Sequence, residues 1–340
     1  MKKLLALITG MFMLTSVVEA EAAVTKTDVR VRDPFVIEAD GKYYMYGTGL
    51  AWPGYGCVIS DDLVNWSEPV TVFAPDDDFD SSTDYWAPEC HFYNGSYYLF
   101  ATYRTKTTDL RGVGIFKADS PTGPFELISD GHITPKDTNC IDGTLYVDEE
   151  GTPWMVYVGE WVSQPGENGI MCAAQLSEDL THFVSEPVTL FNARDAKWAD
   201  SGVTDGPFLY KTKTGKLIML WSNFSDNGYC VGIAYSSNGR LDGKWYQQKK
   251  PLYENNRRTK NDGGHGMLFT DKNGQLMMSI HSPNNSTEEN PTRAIFIPVD
   301  DIGMTLTTES DNNFFTRLYF HIYYFFENLR HAFHITQLPC

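Results

Sequence analysis

The feature that constrains this chain most is a strand–turn–strand unit that recurs five times. Asp33-Pro-Phe-Val-Ile-Glu-Ala-Asp-Gly-Lys-Tyr-Tyr-Met-Tyr is the first copy and Ala87-Pro-Glu-Cys-His-Phe-Tyr-Asn-Gly-Ser-Tyr-Tyr-Leu-Phe the second; the others start at Asp142, Asp205 and His265. The turn glycines Gly41, Gly95, Gly151, Gly215 and Gly274 are 54, 56, 64 and 59 residues apart. Asp-Gly or Asn-Gly between aromatic and β-branched runs is a hairpin signal, because tight turns need a left-handed backbone that glycine adopts freely. A second hairpin follows in four of the copies, as in residues 57–66 with 69–73 and 171–180 with 187–191. Each repeat therefore reads as a four-stranded antiparallel unit, with no long amphipathic helix between repeats. Five such units packed radially predict an all-β fold, a five-bladed β-propeller. A sandwich would not repeat at this period.

Composition narrows the function. The chain has 340 residues, with 27 Lys and Arg against 44 Asp and Glu, a net charge of −17. Such a charge gives no attraction to a nucleic-acid backbone. Aromatic residues reach 14%, which suits a ring-rich β core with some rings left for stacking on sugars. Residues 1–22 read as a signal peptide: Lys2 and Lys3, then a largely apolar stretch over residues 4–18, then small residues at Ala20 and Ala22. That stretch is shorter than the ~20 residues a membrane span needs. The expectation is an exported chain, secreted or periplasmic and free of the membrane, with a propeller over 23–308 and a tail over 309–340. The six cysteines show no CxxC or metal spacing and read mostly as buried free thiols. Nucleophile elbows and phosphate-binding glycine loops are absent.

In a propeller the innermost strand of each blade starts at the channel mouth, so Asp33, residues 87–89, Asp142, Asp205 and His265 should meet there. By the repeat alignment Asp205 occupies the position of Asp33 and Asp142. Glu160 ends the second strand of the third repeat, and hairpin geometry returns it to the same mouth. Trp86, Trp161, Trp221 and Phe224 lie at strand ends on that face as candidate sugar platforms, with Ser222, Asn223 and His281 as candidate hydrogen-bonding groups. His281 also suits a satisfied buried histidine. His265 and His281 lack a third ligand with spacing for zinc.

At these residues the sequence resembles glycoside hydrolase family 43, enzymes of arabinose- and xylose-containing polysaccharides, from Val29 to about Asp301. Val31-Arg32-Asp33-Pro34-Phe35 resembles the first-blade motif and Trp86-Ala87-Pro88-Glu89 the second. Ile141-Asp142-Gly143 resembles the third, and Gly264-His265-Gly266 the fifth. The resemblance implies Asp33 as general base, Trp86 and Glu89 in the sugar-binding wall, and Asp142 as the group that tunes the acid. It places His265 in the channel, where some members hold a Ca²⁺. It also implies inversion, which needs a base and an acid about 6.5–9.5 Å apart. Arg32, if folded toward Asp33, would keep it anionic. No cofactor is required on this reading, and a structural Ca²⁺ at His265 is the one metal it suggests. The implied partner is a plant cell-wall polysaccharide or oligosaccharide, met by a monomer.

The fourth blade departs from the pattern. The family usually has Glu-Gly-Pro there, with the Glu as acid; this chain has Asp205-Gly206-Pro207. Aspartate stops roughly 1.5 Å short, about one bond. Asp205, Glu160 and then Glu89 stand as candidate acids, and a propeller that binds carbohydrate without cleaving it is the rival function. A fructan hydrolase would show Asn-Asp-Pro-Asn-Gly where this chain has Arg32-Asp33-Pro34-Phe35. Residues 313–340 fit no repeat: they hold nine aromatics, three histidines, one acidic residue and no glycine. A terminal helix, a partner-binding strip or a shifted reading frame would each account for them. No closing strand for the fifth blade can be read from this segment.

Overall fold

The structure is a computed structural model that describes residues 24–308 and Ile322. The signal-peptide reading and nearly all of the tail lie outside the described residues.

β1 (Thr25–Lys26) precedes the first blade, which is β2 (Arg32–Ala39), β3 (Lys42–Thr48), β4 (Tyr55–Ser60) and β5 (Val70–Phe73). The second blade is β6 (Thr83–Tyr93), β7 (Ser96–Arg104), β8 (Arg111–Ala118) and β9 (Glu126–Leu127). The third is β10 (Cys140–Val147), β11 (Pro153–Gly159), β12 (Ile170–Gln175) and β13 (Val188–Asn192). The fourth is β14 (Asp205–Lys211), β15 (Leu217–Ser225), β16 (Gly228–Ser236) and β17 (Trp245–Gln247). The fifth starts with β18 (Gly264–Thr270), β19 (Leu276–Ser282) and β20 (Arg293–Asp301), followed by β21 (Leu306–Thr308). In the first four blades each strand pairs antiparallel with the next, as the repeats predict. The five turn glycines all have left-handed φ, between 71° and 84°.

The fifth blade does have closing strands. β20 pairs with β19 on one edge, and its other edge takes both β1, with Thr25 opposite Phe296, and β21, with Thr308 opposite Val299. The first strand thus returns to complete the last blade. A two-residue strand carries no periodic signal, which is why the sequence did not reveal it.

The core is five apolar clusters, one between each pair of neighbouring blades. Alternation along the second strands divides side chains between them. Leu217, Met219 and Trp221 face the third blade, and Ile218 and Leu220 face the fifth. Both faces are covered, so these strands are almost continuously apolar. Each large side chain fully buried this way stabilises the fold by about 1.5–3 kcal/mol. Cys57, Cys90, Cys140, Cys172 and Cys230 are buried free thiols, as expected. Among the described residues no helix is long and apolar enough to cross a membrane.

Candidate active site

Every inner strand carries a bulge at the same register. Arg32, Trp86, Ile141, Asp205 and Gly264 pair with Thr48, Thr102, Val158, Ser222 and His281 on the second strand, and the ladder then slips by one residue. The residue after the slip is left-handed in all five: Asp33 at 53°, Ala87 at 42°, Asp142 at 53°, Gly206 at 52° and His265 at 54°. Bulges re-aim side chains, and non-glycine residues in this conformation are strained features that gather at functional sites. One expectation is corrected here. Asp205 is not equivalent to Asp33 and Asp142; Gly206 is, and Asp205 reaches the mouth from one residue earlier. Gly206 must be glycine, since a Cβ there would lie 2.6 Å from the His265 ring.

The re-aimed side chains meet in a cavity of about 420 Å³ lined by Arg32, Asp33, Thr48, Trp86, Ile141, Asp142, Glu160, Trp161, Asp205, Tyr229 and His265. The expected carboxylates, Trp86, Trp161 and His265 are therefore together. Three other candidates are elsewhere. Asn223 is fully buried and spends its amide on Ser201 and on the Val203 carbonyl, at 2.7 and 2.6 Å. Trp221 is core, with its indole N–H on Gln247 at 3.0 Å. Glu89 sits below the bulge, 3% exposed and facing His91 at 3.3 Å.

Asp33 is held as an anion. His265 Nδ1 lies 3.2 Å from one carboxylate oxygen, and the Thr48 hydroxyl donates to the other at 2.7 Å. Burial works to raise Asp33, but the His265 imidazolium, joined by His281 with its Nδ1 3.3 Å from the same oxygen, outweighs it and keeps the carboxyl well below its usual range. His265 is correspondingly raised to about 10: burial opposes its charge, and the carboxylates of Asp33 and Asp142 favour it. Arg32 is not the partner expected for Asp33. Its guanidinium holds the Asn284 carbonyl at 2.7 Å and the Asn284 side-chain oxygen at 2.9 Å. That oxygen also lies 3.2 Å from His281 Nε2, while His281 Nδ1 lies 3.2 Å from the Asp33 backbone nitrogen and 3.3 Å from Asp33 Oδ1. His281, pushed down by burial, is the neutral buried histidine the sequence allowed.

Asp205 has the opposite surroundings. Its carboxyl accepts one hydrogen bond, from Tyr229 Oη at 2.8 Å. Burial raises it to about 6, against the pull of His265 and Tyr229 and with help from the charge of Asp33. Asp142, 4% exposed, is raised further, to about 8: burial comes first, the charge of His265 opposes it, and the charges of Asp205 and Asp33 add to it. Tyr229 was missed in the sequence, where nothing marks it; its ring stacks on His281 at 5.5 Å and passes over Gly264, where a Cβ would lie 2.3 Å away.

Glu160 lines the cavity with both carboxylate oxygens engaged. Arg111 Nε and Nη2 donate to its two oxygens, both at 2.8 Å, a bidentate charge-assisted pair. Arg111 also bonds Asp84 at 2.9 Å and lies 4.9 Å from the Trp86 ring centroid. Glu160 thus anchors the arginine that backs the Trp86 wall.

His265 Nε2 is buried without a partner, and it is the atom a cation would use. An imidazolium has no lone pair to offer, and among the described residues no three His, Cys, Asp or Glu side chains are grouped to hold a metal. The residues do not form a Ca²⁺ cage by themselves.

This geometry agrees with what the chain resembles. Its sequence matches the model for Glycosyl hydrolases family 43 over residues 27–299. The chain belongs to glycosyl hydrolase family 43. A solved endo-arabinase from Bacteroides thetaiotaomicron superposes with a TM-score of 0.72 at 36% identity, covering 82% of this chain and 98% of that one. An endo-1,4-beta-xylanase from the same organism superposes at 0.70 with 27% identity, over 83% and 94%. Extracellular endo-alpha-(1->5)-L-arabinanase 1 of Bacillus subtilis is 27% identical over 158 residues, 43% of this chain. Those aligned residues are 49% of that relative, and the share is 36% for its second arabinanase, so the chain spans half or less of these curated relatives.

Proposed function

We propose that this family 43 protein is an exported glycoside hydrolase of arabinose- or xylose-containing plant polysaccharides, with α-1,5-linked arabinan as first substrate and xylan as second. The relatives named endo-arabinanases support arabinan, and the one named an endo-xylanase supports xylan. The observation that carries the reading is the division of the carboxylates. Asp33 is fixed as an anion by His265, and Asp205, in the same cavity, is raised by burial under a single phenolic hydrogen bond.

In that division Asp33 takes a proton from water as the water attacks the anomeric carbon. Asp205 gives its proton to the leaving oxygen. Asp142, 3.8 Å from His265, shares the buried site with Asp205, so the two carboxyls do not readily ionise together and a proton stays on the pair to higher pH. Trp86 and Trp161 wall the sugar. The reaction inverts the anomeric centre, and one chain supplies every group.

The test is incubation with arabinan, arabinoxylan, xylan and galactan, with the products separated and their anomeric form read by NMR. Release of arabino-oligosaccharides of inverted configuration is expected. Saturable binding without hydrolysis, even of activated aryl glycosides, would replace this reading with a carbohydrate-binding one, which the short Asp205 favours.

A further inference from the structure

The left-handed residue of each inner strand presents its N–H to the blade before it. The Ala87 N–H goes to Thr48 Oγ1 at 2.8 Å, that of Asp142 to Thr102 Oγ1 at 3.0 Å, that of His265 to Ser222 Oγ at 2.8 Å, and that of Asp33 to His281 Nδ1 at 3.2 Å. All four acceptors occupy the same register, opposite the residue before the bulge on the second strand. In the third blade that position is Val158, fully buried and without an acceptor. The Gly206 N–H instead goes to Asp142 Oδ2 at 3.0 Å.

We propose that Val158 is a positioning residue: by leaving the Gly206 N–H without an acceptor from the second strand, it reserves that donor for the Asp142 carboxylate and fixes it beside Asp205. A buried N–H must find a partner, so the ring of caps is completed at this one seam by a functional carboxylate. The same donor that closes the blade interface orients the group that tunes the acid. The charged and titratable groups facing Asp142 are His265 at 3.8 Å, Asp205 and Asp33. None of them can replace the Gly206 N–H in holding Oδ2, because His265 is already engaged with Asp33.

The proposal rests on the hydrolytic reading for its kinetic arm only. Val158→Thr restores the acceptor found in the first and second blades, and Val158→Ser does so with a smaller side chain, should threonine not be accommodated. The direct measurement is the Gly206 amide proton by NMR across pH. In the unaltered protein its shift should follow the Asp142 titration, and in the threonine or serine variant it should become flat. Removing that N–H also takes support from the Asp142 anion. Asp142 then stays neutral to still higher pH, and its carboxyl is no longer held beside Asp205. kcat should therefore fall on the order of tenfold with KM little changed. Val158→Ala supplies no acceptor, so it should lower Tm yet leave the Gly206 amide following Asp142. A Gly206 shift that ignores Asp142 in the unaltered protein would overturn the proposal, and so would an unchanged kcat and a still-titrating Gly206 in a folded hydroxyl variant. If no glycoside is hydrolysed at all, the functional reading fails and the amide measurement still decides this one.

Discussion

Asp33 and Asp205 are the same residue type in one cavity, and the protein gives them opposite chemistry. The wall around Asp33 is built by the first and fifth blades and contains a charged imidazole at 3.2 Å and a hydroxyl at 2.7 Å. The wall around Asp205 is built by the fourth blade and gives it a phenol at 2.8 Å. An imidazolium stabilises the anion by its full charge, whereas a neutral phenol offers a dipole that burial overcomes. On the proposed reading the choice of base and acid is made by what lies beside each carboxylate: His265 of the fifth blade for Asp33, Tyr229 of the fourth for Asp205.

Removing the base should have the largest effect. Asp33→Asn is expected to lower kcat by roughly 10²–10⁴-fold or more on every substrate, activated or not. A variant that keeps half of its activity would show that the anionic side of the comparison is wrong.

Asp205→Asn comes next, and its signature is selective. Natural arabinan, a poor leaving group, should lose about 10²–10⁴-fold, while aryl glycosides with acidic phenols should lose far less. Equal losses on both would remove Asp205 as the acid. The unaltered profile should be wide. Its acid limb, from protonation of Asp33, lies below the ordinary carboxylate range, and its alkaline limb, from loss of the Asp205 proton, lies above it.

Glu160→Gln tests the other carboxylate. Breaking a buried ion pair from one side costs about 3–5 kcal/mol, so a clear fall in Tm is expected. Activity should fall by a similar factor on good and poor leaving groups, because the damage passes through Arg111 to Trp86. A leaving-group dependence as strong as that of Asp205→Asn would make Glu160 the acid.

Much of this was legible in the sequence, and the failures have physical causes. The turn glycines announce the blades because left-handed φ is something few residues adopt. Asp33, Asp142 and His265 are legible because they fall at equivalent places in the repeats. The one-residue offset of Asp205 is not, since a bulge leaves no mark in composition, and Asp-Gly-Pro can be slid against Arg-Asp-Pro without penalty on paper. The partner of Glu160 is Arg111, 49 residues away, and that of Asp33 is His265, which only ring closure brings near. Arg32 misled for the same reason: adjacency in the chain is weak evidence of contact on a strand, where neighbouring side chains diverge.

Tyr229→Phe should have the smallest effect and the clearest sign. The phenol lowers Asp205, so its loss raises Asp205 further and moves the alkaline limb of kcat/KM to higher pH. A shift to lower pH would mean that the hydroxyl donates elsewhere when substrate is bound.

The ring is fastened by β1 and β21, strands of two and three residues laid along one edge of β20. The fifth blade they complete is also the blade that sends His265 and His281 across to Asp33. Such a latch is where a closed ring should first breathe, because it has the fewest backbone bonds to lose. On heating, or in mild denaturant, the nucleophilic water would lose its activating anion while the other blades still hold their cores. Activity should fade ahead of the main unfolding transition, so the enzyme would act as a reporter of its own circular integrity.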